Sequence, residues 1–193
     1  MVKLTSRIKV CQFNAGKRDA ALDELSLRIK GENTSVVLLT EPPTREESLD
    51  GNNRIKYVVK KIENCQEGVM FERLNGKDRT RTSIWVEKSL AQSLKCTMLN
   101  QFCSRDITTI SLQFSAEGGK VEKLILSSIY MPTLDENNKF IEEPFNDICK
   151  ELCKFAEKNK WSLVIGTDAN AHSGAWGYPC LLYTSPSPRD RQK

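Results

Sequence analysis

The chain has one histidine in 193 residues, and its seven cysteines contain no CxxC pair. Residue supply alone therefore rules out a zinc framework of Cys and His. No apolar run reaches membrane-spanning length, and the N-terminal MVKLTSRIKV lacks an apolar h-region. The sequence thus predicts a soluble, intracellular chain with no membrane partner. Neither sign of charge dominates: 29 basic against 25 acidic residues leave +4, which permits a polyanionic partner without arguing for one. Cys11, Cys65, Cys96, Cys103, Cys149, Cys153 and Cys180 read as reduced thiols. Cys149 and Cys153, four apart on a predicted helix, are both expected on its buried side. With 39% hydrophobic and 28% charged residues, the length suits one globular domain with its own core.

The stretch most informative about chemistry is Ser162 to Gly177, SLVIGTDANAHSGAWG. Leu163-Val164-Ile165 predicts a strand buried on both faces that stops at Gly166. Asp168, Asn170 and His172 follow at every second position, and alternation in an extended segment sends them to one side of the chain. A carboxylate, an amide and an imidazole facing one cleft suit a phosphodiester. The carboxylate can take a proton from water, the amide can hold a phosphate oxygen, and the imidazole can donate a hydrogen bond or a proton. An Asx-rich turn after a strand is the plain alternative, since Asp, Asn and Gly are ordinary turn residues.

Ile8 to Phe13 reads as a first strand, ending at Asn14. A helix follows, with Asp19 as N-cap, Leu22, Leu25 and Ile29 at helical spacing, and Gly31 as its stop. Val36 to Leu39 is a second buried strand running into Thr40-Glu41-Pro42-Pro43. A carboxylate is expensive to bury unpaired, so a cation should stand beside Glu41, and a metal ion or a Lys or Arg would serve. Pro42 to Asn53 reads as a turn-rich loop and Lys56 to Ile62 as a strand. Glu72 to Arg81 is a charged loop whose Arg73, Lys77, Arg79 and Arg81 are either solvated or in contact with phosphates. Thr82 to Val86, Ile107 to Phe114 and Lys123 to Met131 are further strands. Glu117-Gly118-Gly119-Lys120 is a hairpin signal that pairs the last two antiparallel. Tyr130 ends its strand, as a core aromatic with its hydroxyl at the rim. Glu142 to Lys158 is the clearest helix, with an apolar stripe of Phe145, Ile148, Leu152 and Phe155 and Asn159 to close it. Few helices, many strands and polar strand ends predict a layered α/β sandwich with mixed sheets.

Asn14 in QFNAG, Glu41 in LLTEPP, Tyr130 in SIYMP and Asp168-x-Asn170 in GTDANAH stand in the order and setting of the endonuclease/exonuclease/phosphatase superfamily. More narrowly, LLTEP and TDANAHSGAWG resemble the apurinic-type endonuclease domain of non-LTR retrotransposon polyproteins, over about Ile8 to Gly177. This resemblance implies a DNase I-like fold: a four-layer α/β sandwich of two mixed, mainly antiparallel sheets, here incomplete at the C-terminus. It implies that Glu41 ligates Mg²⁺, with Mn²⁺ able to substitute, and that Asn14 helps to position metal and phosphate. Tyr130 would bond the scissile phosphate, Asp168 would orient or deprotonate the attacking water, Asn170 would stabilise the charged transition state, and His172 would line the site. The implied reaction is hydrolytic nicking of double-stranded DNA in the nucleus, to prime a reverse transcriptase domain of the same polyprotein. A phosphatase or sphingomyelinase of the same superfamily, or a catalytically dead nucleic-acid-binding module, are the rival readings.

The resemblance stops at Tyr178. The family continues to a late strand ending in Ser-Asp-His, and that tripeptide is absent here. The closing CLLYTSPSPRDRQK offers no core, and Cys180 to Asp190 reads as a translated transposase sequencing adapter. Residues 1–179 are accordingly expected to be a partial endonuclease domain and 180–193 a non-native, disordered tail. The chain by itself is expected not to nick DNA.

Overall fold

The computed structural model describes residues 7–49, 54–64, 67–73, 79–115, 121–131 and 144–168. The elements run β1 (Val10–Asn14), α1 (Asp19–Glu32), β2 (Val36–Thr40), β3 (Thr44–Leu49), β4 (Arg54–Val59), β5 (Gly68–Phe71), β6 (Thr82–Glu87), α2 (Lys88–Ser93), β7 (Lys95–Met98), β8 (Ile107–Ser115), β9 (Val121–Tyr130), α3 (Pro144–Asn159) and β10 (Ser162–Asp168), with a single 3₁₀ turn over Asn100–Phe102.

Two four-stranded sheets carry the fold, in the orders β1-β2-β6-β5 and β10-β9-β8-β7, and β3 and β4 form a separate hairpin. In the first sheet β1 and β2 are parallel while β6 runs antiparallel to both its neighbours. In the second, β10 and β9 are parallel and β9, β8 and β7 alternate. The period of two explains the layering. Val36, Leu38, Ile84 and Val86 of the first sheet meet Ile110, Leu112 and Leu126 of the second in a central core. Their neighbours Val37, Leu39 and Trp85 face outward onto Ala21, Leu22, Leu25 and Ile29 of α1. Ile107 and Ile129 likewise face outward onto Leu152 of α3. The result is four layers: helix, sheet, sheet, helix. Leu25, Ile29 and Leu152 are fully buried, and each such side chain contributes about 1.5–3 kcal/mol by leaving water.

Several boundaries differ from the sequence expectation for identifiable reasons. Helix α1 is preceded by Arg18, whose guanidinium has no acceptor to cap it, and the Asp19 carboxylate is bound by Lys60 Nζ at 2.6 Å. Gly31 lies within the helix, and Asn33 ends it at φ 51 with its N–H on the Ile29 carbonyl; asparagine tolerates that left-handed cap. Part of the expected Pro42–Asn53 loop is strand β3, held in register by β4 from Thr44↔Val59 to Leu49↔Arg54. The Leu163-Val164-Ile165 run is not buried on both faces: Val164 is 39% exposed, since β10 is the outer strand of its sheet. Strand β10 also continues past Gly166 to Asp168. Cys153 is exposed and only Cys149 is half-buried, because the buried face of α3 runs through Ile148, Leu152 and Ala156. Cys11, Cys96, Cys103, Cys149 and Cys153 are free thiols. No helix among the described residues is long and apolar enough to cross a membrane. Residues 180–193 and Cys65 lie outside the described residues.

Candidate active site

Along the facing surfaces of the two sheets the side chains change character toward one end. Val36 and Leu38 give way to Thr40, Ile84 to Thr82, Ile110 to Thr108, and Leu126 to Ser128 and Tyr130. The hydroxyls stitch the sheets together: Thr82 and Thr108 lie 2.9 Å apart at their Oγ1 atoms, and Ser128 Oγ donates to the Leu39 carbonyl at 3.0 Å. At this end the C-termini of β1, β2, β9 and β10 coincide, with Asn14 level with Thr40 and Asp168 level with Tyr130.

Asn14 is the junction between the sheets. Its Nδ2 donates to Asp168 Oδ2, and its Oδ1 accepts the Gly16 N–H at 2.7 Å. One residue pair earlier, Gln12 Nε2 donates to the Thr167 carbonyl at 3.0 Å. Ala15 N–H on the Thr40 carbonyl and Met131 N–H on the Asp168 carbonyl close each sheet's own strand ends. The amide that the sequence offers at the end of the first strand thus fixes the carboxylate at the end of the last.

Glu41 follows β2 directly and adopts φ 46, a left-handed conformation that a residue with a Cβ enters at a cost of about 1–3 kcal/mol. Two main-chain bonds of 2.8 Å hold it there: Glu41 N–H donates to the Arg81 carbonyl, and Lys17 N–H donates to the Glu41 carbonyl. Its side chain is only 19% exposed, and Lys17 Nζ stands 3.3 Å from Oε1. The sequence left a metal ion, a Lys or an Arg open as the partner of Glu41, and among the described residues Lys17 is paired with it.

Tyr130 is held by its N–H on the Asp106 carbonyl at 2.9 Å, and the Arg81 guanidinium carbon lies 4.8 Å from its ring centroid. Arg81 in turn forks onto Asp106 through Nε and, at 2.7 Å, through Nη2. Beside Glu41 a cleft of about 390 Å³ is lined by Lys17, Lys60, Arg79, Arg81 and Arg105, with Asp19 as the second acid. The charged Glu72–Arg81 segment therefore divides. Arg79 lines the cleft with its guanidinium 4.9 Å from the Tyr57 ring, whereas Arg73 donates to the Cys103 carbonyl at 3.0 Å and is structural. Lys77, Asn170 and His172 lie outside the described residues. Lys17, Lys60, Arg105 and Asp106 went unnoticed in the sequence, where nothing sets them apart from other charged residues.

The donors suit a hard cation. Among the described residues no cluster of three or more His, Cys, Asp or Glu side chains could hold a metal. The Glu41 carboxylate, the Asn14 amide and the buried Thr40 Oγ1, which has no hydrogen-bond partner among the described residues, are oxygen donors at neighbouring strand ends. Mg²⁺ is commonly bound by a few such oxygens, with water completing its octahedron.

Neither protein-family models nor curated proteins match the chain. Its structure is similar to that of the endonuclease domain of TRAS1, a telomere-specific non-LTR retrotransposon, with a TM-score of 0.52 at 16% identity over 89% of this chain and 63% of that one. The human Nocturnin catalytic domain with bound sulfate is also similar, with a TM-score of 0.45 at 14% identity over 86% of this chain and 64% of that chain. A D. rerio TDP2 humanized by 14 mutations gives 0.38 at 15% identity, over 88% of this chain and 65% of that chain. The chain spans 63% of the length of the TRAS1 domain. The architecture shared with the TRAS1 domain is that of the DNase I-like α/β fold.

Proposed function

We propose that the protein is a Mg²⁺-dependent phosphodiester hydrolase that nicks double-stranded DNA, and that it serves as the endonuclease of a non-LTR retrotransposon. The observation that supports this reading is the Asn14–Asp168 hydrogen bond across the two sheets, which joins an amide and a carboxylate at the strand ends where Asn14 is level with Thr40, the residue before Glu41. Glu41 and Asn14 would hold the metal, with Mn²⁺ able to substitute. When bound, the metal supplies positive charge to the phosphate oxygens and the leaving group. Asp168 orients the attacking water and takes its proton, with Asn14 fixing the carboxylate. The Tyr130 hydroxyl and the Asn170 amide would bond the non-bridging oxygens where charge builds up, and His172 would line the site. Arg79 and Arg105 meet flanking phosphates, giving a salt-dependent affinity. The DNA-nicking and retrotransposon assignments draw on the motifs around Glu41 and Asp168, as do a reverse transcriptase domain of the same polyprotein as partner and the nucleus as the place of action.

A second reading, a metal-independent nucleic-acid-binding module, takes its support from the Lys17–Glu41 ion pair, in which an ammonium neutralises the carboxylate. Duplex binding separates the two without requiring turnover. The hydrolase reading predicts tighter binding in Mg²⁺ than in EDTA, with that gain lost in Glu41→Ala and in Asp168→Asn. Binding indifferent to EDTA and to both substitutions would establish the module and remove the hydrolase.

A further inference from the structure

Arg81 and Asp106 each stand one residue before a strand, Arg81 before β6 of the first sheet and Asp106 before β8 of the second. Their side chains are 20% and 26% exposed, and they meet in a two-point fork between a guanidinium and a carboxylate. Main-chain bonds run from this pair to both halves of the site. The Arg81 carbonyl accepts the Glu41 N–H at 2.8 Å, and the Asp106 carbonyl accepts the Tyr130 N–H at 2.9 Å. Arg81 N–H donates to the carbonyl of Arg105, the neighbour of Asp106, at 2.8 Å. Asp106 N–H is itself fixed by Ser104 Oγ at 3.2 Å. Finally, the guanidinium carbon stands over the Tyr130 ring, 4.8 Å from the centroid.

We propose that the Arg81–Asp106 pair is a positioning strut across the inter-sheet seam, setting Glu41 on one sheet against Tyr130 on the other. The proposal deepens the hydrolase reading and rests on it for the roles of Glu41 and Tyr130. The chemistry favours arginine: a planar, always-charged fork can take both oxygens of a carboxylate while presenting its cationic carbon to an aromatic ring. With Nε and Nη2 directed to Asp106 and its charge neutralised there, Arg81 orders the site instead of clamping a substrate phosphate. Arg81 and Asp106 are therefore positioning residues: Arg81 also lines the cleft, but its fork is committed to Asp106, whereas Arg79 and Arg105 are the cleft arginines assigned to phosphates.

The test labels the protein with 3-fluorotyrosine and assigns the Tyr130 resonance by its loss in Tyr130→Phe, alongside Mn²⁺ affinity from titration calorimetry. Arg81→Lys and Asp106→Asn, both close in size to the native residues, should each shift the Tyr130 resonance. Each should also weaken Mn²⁺ roughly 10-fold, as removal of a group that orients a ligand does, and the double variant should add little to either single one. If wild-type protein binds no Mn²⁺ yet the Tyr130 resonance shifts in both variants, the strut stands and the metal reading falls. An unmoved Tyr130 resonance in both single variants overturns the strut. So do effects that simply add in the double variant. A loss of duplex affinity and of salt dependence in Arg81→Lys with Tyr130 unmoved would show a phosphate contact, which also overturns it.

Discussion

Glu41 and Glu72 are both acidic residues with restricted exposure, and their surroundings treat them differently. Glu41 faces an ammonium, whereas Glu72 has for its nearest partner a neutral donor, the Val59 N–H at 2.9 Å from Oε2. Burial pushes the Glu72 carboxyl above the usual carboxylate range; the Val59 hydrogen bond and the Lys56 charge oppose this and Glu47 adds to it. A folded-state value above the unfolded one means that the folded protein holds the proton more tightly. The stability this confers is fully present below the unfolded pKa and is lost as pH rises through the folded one. Glu72→Gln keeps an acceptor for Val59 and removes the charge. Chemical denaturation should show the variant more stable than wild type at neutral pH, with the difference vanishing at a pH below the ordinary glutamate range. Equal stability at neutral pH would contradict this. At this scale the sequence revealed residues whose position was chemically odd. Glu41 stood out because a carboxylate ends an apolar run, and Asn14 and Asp168 because polar groups follow strands. Asp106 and Lys17 stayed hidden, since their significance comes from partners 25 and 24 residues away along the chain.

Elements that are long and strongly patterned were legible; short ones were not. The pairing of β8 with β9 runs from Ile107↔Ile129 to Ser115↔Val121, matching the two β-rich runs of the sequence; the Gly118-Gly119 signal between them lies outside the described residues. Strands β5 and β7 have four residues each, too few for alternation to rise above chance. They form because neighbours already in the sheets offer them a hydrogen-bonding edge. Strand β10 depends on a contact that no pattern announces. A Cβ on Gly166 would lie 2.7 Å from Leu38 Cδ1, 3.1 Å from Leu38 Cβ and 3.2 Å from Gln12 Cγ. Glycine lets β10 approach the first sheet closely enough for Asp168 to reach Asn14. Gly166→Ala should cost about 1–3 kcal/mol of stability in denaturant titration, the usual range for overpacking a core, because Leu38 is 1% exposed and has little room to yield. The displaced strand should also weaken the Asn14–Asp168 contact and with it the Mg²⁺-dependent gain in duplex affinity. Full stability in the alanine variant would mean that the sheets are less tightly apposed than described here.

For the whole molecule, the layered architecture followed from counting strands and helices and from the polar ends of the strands. The site was legible only as separate points, because it sits on a seam between sheets that are remote in sequence. Asn14 and Asp168, 154 residues apart, touch, and composition cannot express that. The same holds for charge: a net +4 over the chain conceals a cleft that gathers five cations around Glu41 and Asp19. One physical theme runs through the fold. Apolar side chains bind the sheets at one end, hydroxyls take over in the middle, and ionisable groups occupy the mouth, so the core that stabilises the domain also aligns its chemistry.

The central claim is that Glu41 at this seam is the carboxylate of a divalent-metal site, and electron paramagnetic resonance of Mn²⁺ tests it most directly. Titrating Mn²⁺ into the chain should show the free-ion signal suppressed by one bound equivalent, released again by excess Mg²⁺, and restored in Glu41→Gln. A bound signal of equal strength in wild type and Glu41→Gln, or no binding by the folded wild-type chain, would contradict the account.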